Sequence, residues 1–439
     1  MSNIGCILYP PTLDYYYLVQ RPQQLMKSFS QLNIPTYYLN WNSSNVPKEG
    51  GVKQLNPYFF LFDNVDPKPY LQNIRPVVYY TAASHVNMIK DYNPSLVVFD
   101  SVDEPSEEFE GWKPFYNQAV ASADVVLTTS DKLFHMARAI NPKTFLVPNG
   151  CDFEYFSQSS KGNLPVPADI ANIKKPIIGY IGVIATWCDM ELIDKVAVSY
   201  PNYNLVMIGP FYNTTDVPRR DNIHWLGFKK YEDLAAYAQM FDVGIIPFKR
   251  TSMVESVNPI KMWEYMAAGI PIVTSAIPET RKFQDLVLYS ETHEQFIQNI
   301  QRAINNDTPE LKARRIQLAQ QNSWLSRAQL IVSIIEQELQ NKNVQGGQPP
   351  AKVNNILSFK RGVSATGYTQ SIAPFTKLNI SGKPSIKFSI KAGGVVGDQR
   401  SSLIRASGGF NGRPQQFTVT GKVSFKYITT RGQVGVGVR

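Results

Sequence analysis

From Ile4 to about Gln340, short β-branched runs alternate with longer amphipathic stretches. This rhythm restricts the chain to βα units wound on parallel sheets. The first set of strands is expected at Ile4–Tyr9, Val77–Thr81, Leu96–Phe99, Val125–Thr129 and Thr144–Val147, with helices at Arg21–Gln31, Ser106–Ser122 and Ser130–Ala139. A segment carrying Pro165, Pro167 and Pro176 breaks the periodicity and reads as a linker over 162–176. The alternation then resumes with strands at Ile177–Ile181, Asn204–Ile208, Ile223–Leu226, Val243–Ile246 and Ile272–Thr274. Helices are expected at Met190–Ser199, Tyr231–Met240 and Pro259–Ala268, and around 293–304, 308–321 and 324–340. The chain thus divides into a doubly wound domain over 1–161, a second over 177–341, and a tail over 345–439. A length of 439 residues suits this better than one average domain of roughly 100–150.

Charge separates the tail from the body. The net charge of +9 resides in residues 345–439, which hold 14 Lys and Arg against one acid, Asp398; residues 1–344 carry 30 basic and 34 acidic side chains. Short Ser, Thr, Val, Ile and Phe runs punctuated by Gly, with strict alternation over Lys383–Ile390, mark the tail as a β-rich basic appendage. Such a segment would attract an anionic membrane surface or another polyanion; nucleic acid ranks below these, because the body is acidic and no nucleic-acid motif is present. The three cysteines, Cys6, Cys151 and Cys188, form no C-x-x-C pair, so neither a disulfide framework nor a zinc site is expected. With no apolar run near the roughly 18 residues of a membrane span and no basic start before the first apolar stretch, the expected location is cytoplasmic, with peripheral attachment to the inner membrane face through the tail.

Doubly wound sheets bind ligands beyond the carboxyl ends of their strands. Gly182 follows the strand Ile177–Ile181 and would let backbone approach a phosphate, although a G-x-G-x-x-G fingerprint is absent and a packing role is equally compatible. That absence also argues against a nicotinamide dehydrogenase. Further along, Pro247-Phe248-Lys249-Arg250 precedes VNPIKMWEYMAAGIPIV, in which Lys261 and Glu264 share one face near a helix start. A cation in the first turn opposes the helix dipole unless an anionic ligand is present, and a carboxylate nearby can accept hydrogen bonds from sugar hydroxyls. In the first half, Asp100 and Asp103 follow a strand and could orient a hydroxyl, act as a base or cap the next helix. His85 could hydrogen-bond a sugar or be structural, Arg21 heads a helix, and the Tyr-rich loop holding Tyr15 could stack on a sugar.

Taken together, VNPIKMWEYMAAGIPIV, DVGIIPFK, VPNGCDFEYF, RPQQLMKSF, VVFDSVDEP, ADVVLTTSDKL and IGYIGVIATWCDMELI resemble, in order over about 1–340, the retaining glycosyltransferases of the GT-B fold. The resemblance implies two Rossmann-like domains facing across a cleft, and transfer of a sugar from a nucleotide donor, a UDP-sugar or a GDP-sugar, without other cofactor or metal. The acceptor would be a glycan or lipid-linked, in surface polysaccharide synthesis. It implies diphosphate contact by Lys261, ribose contact by Glu264, and a phosphate border at Gly182. Lys249, Arg250 and Asn258 complete the expected donor set. Tyr15, Arg21, Asp100 and Asp103 make the expected acceptor set, and Asp103, His85 and Lys249 the catalytic one. Two departures stand out: Ser256 occupies the place of the first glutamate of the family's E-x-x-x-x-x-x-x-E pair, with Glu255 beside it, and Val183 to Trp187 replace a basic pair. They keep open an alternative class, a glycosyltransferase-like binding or structural protein without turnover, which transfer assays would distinguish.

Overall fold

A computed structural model describes residues 4–40, 50–346, 402–410, 413–421, 423–428 and 434–438. The first sheet contains β1 (Ile7–Tyr9), β2 (Thr36–Asn40), β3 (Gly51–Asn56), β4 (Phe59–Asp63), β5 (Val77–Tyr80), β6 (Leu96–Ser101), β7 (Val125–Thr128) and β8 (Thr144–Leu146). Their spatial order is β3-β4-β2-β1-β5-β6-β7-β8, and only the edge strand β3 runs antiparallel to its neighbour. Strands β1, β2, β4 and β5 are buried along nearly their whole length, as expected where helices cover both faces of a parallel sheet. Strands β2 to β4 have no counterpart in the sequence expectations. TYYLN and FFLFD carry no alternation to announce them, being buried on both sides.

The second sheet comprises β9 (Ile177–Ile181), β11 (Asn204–Ile208), β13 (Ile223–Gly227), β14 (Val243–Ile246), β15 (Ile272–Thr274) and β16 (Val287–Tyr289). It is parallel throughout, in the order β13-β11-β9-β14-β15-β16. Winding reverses between β9 and β14, so a crevice opens beyond their carboxyl ends. Two short strands, β10 (Ile184–Ala185) and β12 (Phe211–Tyr212), pair in parallel just past β9 and β11. The equivalent reversal in the first sheet falls between β1 and β5.

The chain leaves the first core after Val147 and enters the second at Cys151. It returns between Ala319 and Trp324, and the two crossings are hydrogen-bonded to each other, Trp324 N–H to the Cys151 carbonyl at 2.9 Å. These crossings differ from the expected division. Residues 162–176 include Ile170, which is buried in the second core, and the helix Trp324–Gly346 sends Trp324, Ala328, Ile331, Ile334 and Ile335 into the first core. Proline content marked an irregular segment without marking where the contacts change.

Two expected helices start later than the sequence suggested. A 3₁₀ turn over Glu107–Trp112, with Phe109 outside helical geometry, precedes the helix Lys113–Ser122, and Tyr231–Asp233 forms a 3₁₀ turn before Leu234–Ala238. In the tail, β17 (Ser402–Phe410) pairs antiparallel with β18 (Arg413–Gly421), and β19 (Val423–Ile428) with β20 (Val434–Val438). The alternating stretch Lys383–Ile390 lies outside the described residues. All three cysteines are buried and free.

Candidate active site

The crevice of the second domain is built around one close approach. Gly182, with φ +153°, ends β9 where the Lys261 side chain crosses it; a Cβ there would lie 1.9 Å from Lys261 Cε and 2.5 Å from Nζ. Gly209, with φ +147°, follows β11, and its Cβ would sit 1.9 Å from the Gly182 carbonyl oxygen. Both positions require glycine by conformation and by space. Lys261 and Glu264 belong to the helix Ile260–Ala267, which starts at Pro259 without a side-chain cap.

The ammonium of Lys261 stands 5.6 Å from the Tyr180 ring and 5.7 Å from the Phe248 ring. Ring faces favour a cation without neutralising it. Among the described residues Lys261 forms no ion pair, and burial pushes its pKa below the ordinary lysine value while Glu264 pulls it back. Glu264 is half-buried; desolvation raises its carboxyl to about 7, with Lys261 opposing and Asp152 adding to the shift. An under-neutralised lysine beside a carboxyl poised near neutrality can hold an anion and accept or donate hydrogen bonds to hydroxyls.

The other expected donor residues are more dispersed. Lys249 is exposed at the mouth of the same crevice, its N–H donating to the Trp187 carbonyl at 2.8 Å. Arg250 is exposed and turns toward Glu291 at 3.6 Å. Asn258 is buried in the seam between the domains: its Oδ1 accepts from Asn149 N–H and from Trp263 Nε1, both at 3.2 Å, and its Nδ2 donates to Glu279 at 3.0 Å. Ser256 is buried with its hydroxyl on the Met253 carbonyl, and Glu255 is exposed, 3.5 Å from Lys132.

In the first domain the expected residues form two groups. Arg21 and Asp100 make a two-pronged ion pair at 2.6 and 3.0 Å, with side chains only 3% and 0% exposed, and Tyr79 donates its hydroxyl to the same carboxylate. Arg21 also donates to Asn149 Oδ1 at 3.2 Å and so reaches the crossing. Asp103 is half-buried, and burial reinforced by Asp100 pushes its carboxyl up to about 7. Nearer the β1–β5 reversal, His85 Nδ1 lies 3.3 Å from the Thr12 hydroxyl, and burial lowers its pKa. Tyr15 packs among Tyr16, Tyr38 and Phe59, with ring centroids 5.2 to 5.6 Å away, as part of the first domain's aromatic packing.

Sequence reasoning overlooked Asn149 and Glu279. Glu279 accepts from Asp131 N–H at 3.0 Å and pairs with Lys282 at 2.8 Å, tying the second domain to the start of a first-domain helix. Nothing in TSAIPETRK marks this carboxylate as buried.

Residues 175–306 match the family described as Glycosyl transferases group 1. That match lies within the second domain. TuaH of Bacillus subtilis strain 168, named for teichuronic acid biosynthesis, is 28% identical over 179 residues. That match covers 39% of this chain and 45% of TuaH, so it takes in just under half of the relative's length. Among solved structures, sucrose-phosphate synthase from Thermosynechococcus elongatus superposes with a TM-score of 0.58 at 15% identity, covering 76% of this chain and 99% of that one. Anabaena HepE in complex with UDP-glucose gives 0.56 at 12% identity, covering 76% and 100%. These likenesses place the two domains in the GT-B fold. The group 1 match falls on the domain that carries Gly182, Lys261 and Glu264. No helix among the described residues is long and apolar enough to cross a membrane.

Proposed function

We propose that the protein is a glycosyltransferase that moves a hexose from a nucleoside diphosphate sugar to a glycan or lipid-linked acceptor in surface polysaccharide synthesis, with retention of configuration and without a metal. The observation that carries this reading is the Lys261 ammonium: half-buried, unpaired among the described residues, and set against Gly182 at the reversal point of the second domain. An anion completes such a site, and a diphosphate fits the space that two glycines keep open. HepE was solved with UDP-glucose in the same fold, which favours a uridine donor over guanosine.

In the reaction, the bond between the anomeric carbon and the diphosphate oxygen breaks, and its electron pair stays on the diphosphate. The acceptor oxygen bonds to the same carbon from the same face, and its proton ends on the departing diphosphate. Lys261, with Lys249 at the crevice mouth, stabilises the growing negative charge. Glu264 orients the ribose, and Asp103 and His85 position the acceptor hydroxyl from the first domain. The basic tail would hold the enzyme at the cytoplasmic membrane face, near a lipid-linked acceptor.

Transfer assays with UDP- and GDP-hexoses, with the product's anomeric configuration read by proton NMR, test the reading; inversion, or no turnover with any donor, overturns it. One observation favours a binding protein without turnover. Ser256 and Glu255 place no carboxylate where the family's first glutamate stands, since Ser256 is tied to Met253 and Glu255 faces Lys132. Nucleotide binding without transfer would decide for that second reading.

A further inference from the structure

An acidic segment of the first domain reaches across to three loops of the second. Glu104 Oε1 accepts from the Ser252 hydroxyl at 3.1 Å, and Glu107 Oε1 accepts from Met253 N–H at 3.1 Å. Glu108 accepts from the Thr186 hydroxyl at 2.5 Å and from Asn213 Nδ2 at 3.2 Å. Thr186 lies beyond β9 and β10, Asn213 directly follows β12, and Ser252 and Met253 lie beyond β14. All three loops border the ligand side of the sheet. The carboxylates therefore occupy hydrogen-bond donors at the rim of the crevice where an anionic nucleotide would enter.

This contact carries signs of a poised arrangement. Glu107 has φ +50°, a strained value for a residue with a Cβ, and the neighbouring Ser106 hydroxyl is enclosed without a hydrogen-bond partner among the described residues. Glu104 is paired with Lys132 at 2.7 Å, and Glu107, Glu108 and Glu110, with no basic residue between positions 103 and 110, are left to oppose a diphosphate.

We infer that residues 104–108 form a strap that holds the cleft closed and must release before a nucleoside diphosphate binds. This rests on the donor reading of the crevice. Strap release lowers apparent affinity by the fraction of molecules already open, so weakening the strap tightens nucleotide binding.

The test uses the full chain carrying Glu107→Gly together with Glu108→Ala; glycine relieves the backbone at position 107 while both contacts are lost. Titration calorimetry with UDP and with GDP should show binding about tenfold tighter than in the unsubstituted protein. Small-angle scattering without nucleotide should show a larger radius of gyration. Asn213→Ala, which breaks the contact from the other side, should move both readings in the same direction. An unchanged radius overturns the strap, as does unchanged or weaker affinity in variants that melt like the parent. If neither nucleotide binds any of the proteins, the donor reading falls, and scattering alone decides the strap.

Discussion

Both domains gather charge beyond the ends of their central strands, yet they dispose of it in opposite ways. In the first, Arg21, Asp100 and Tyr79 satisfy one another in a site with almost no exposed surface. In the second, Lys261 lies against two ring faces without an ion pair among the described residues, and Glu264 is left near neutrality. A satisfied buried pair fixes geometry, because removing one partner strands the other. An unsatisfied cation is a standing demand for a ligand. The pairing of charge, more than its presence, separates framework from site.

The largest expected effect breaks the framework. Arg21→Ala leaves Asp100 buried without its partner and should cost about 3–5 kcal/mol of stability, read from urea denaturation. A loss under about 1 kcal/mol would mean that the pair is replaceable and that Arg21 is free to meet a ligand. Lys261→Met should do the reverse. It removes a desolvated charge, so stability should hold or rise, while UDP affinity and transfer fall at least about tenfold, as when a charge-assisted contact is lost. A large stability loss with unchanged nucleotide affinity would place Lys261 with the framework.

Next comes pH dependence. The folded pKa of Glu264 is raised from 4.5 to about 7, so the folded protein holds its proton where the unfolded chain has released it. Its contribution to stability is therefore full below about pH 4.5 and is lost as pH rises through about 7; Asp103, raised from 3.8 to about 7, adds in the same direction. Urea denaturation between pH 5 and 8 should show a falling stability that Glu264→Gln flattens in part. If Glu264→Gln leaves the slope unchanged, its carboxyl is not the desolvated group described.

How much of this could be read in the sequence follows from what each signal encodes. The second sheet was legible almost strand for strand, because IIGYI, NLVMI and VGII are apolar runs of strand length bounded by turns. Lys261 and Glu264 were legible because a lysine in the first turn of a helix is locally unfavourable and asks for an explanation. Partners were not legible. Whether Arg21 is neutralised depends on Asp100, 79 residues away, and Glu279 is buried only because two domains meet over it. Beyond Asp103, the acidic run DEPSEEFE drew no reading from the sequence, because its reach to Thr186 and Met253 depends on how the two domains pack. Apolar pattern is local and therefore readable; pairing across domains is tertiary.

The smallest expected effect tests the rule at its weak end. Glu255 stands next to the position of the family's first glutamate, and it is half exposed, 3.5 Å from Lys132, itself bonded to Glu104 and Ser252. An exposed pair at that distance is worth about 0–1 kcal/mol, because solvent screens it and two long side chains must be held in place. Glu255→Gln should shift the denaturation midpoint only slightly and leave transfer within about twofold, a barrier change below roughly 0.5 kcal/mol. Transfer rates measured at saturating donor distinguish the cases. A loss of about a hundredfold with stability intact would mean that Glu255 leaves Lys132 and reaches the donor sugar when the cleft is loaded. A paired carboxylate would then be part of the site, and pairing in the unliganded protein would no longer divide framework from chemistry.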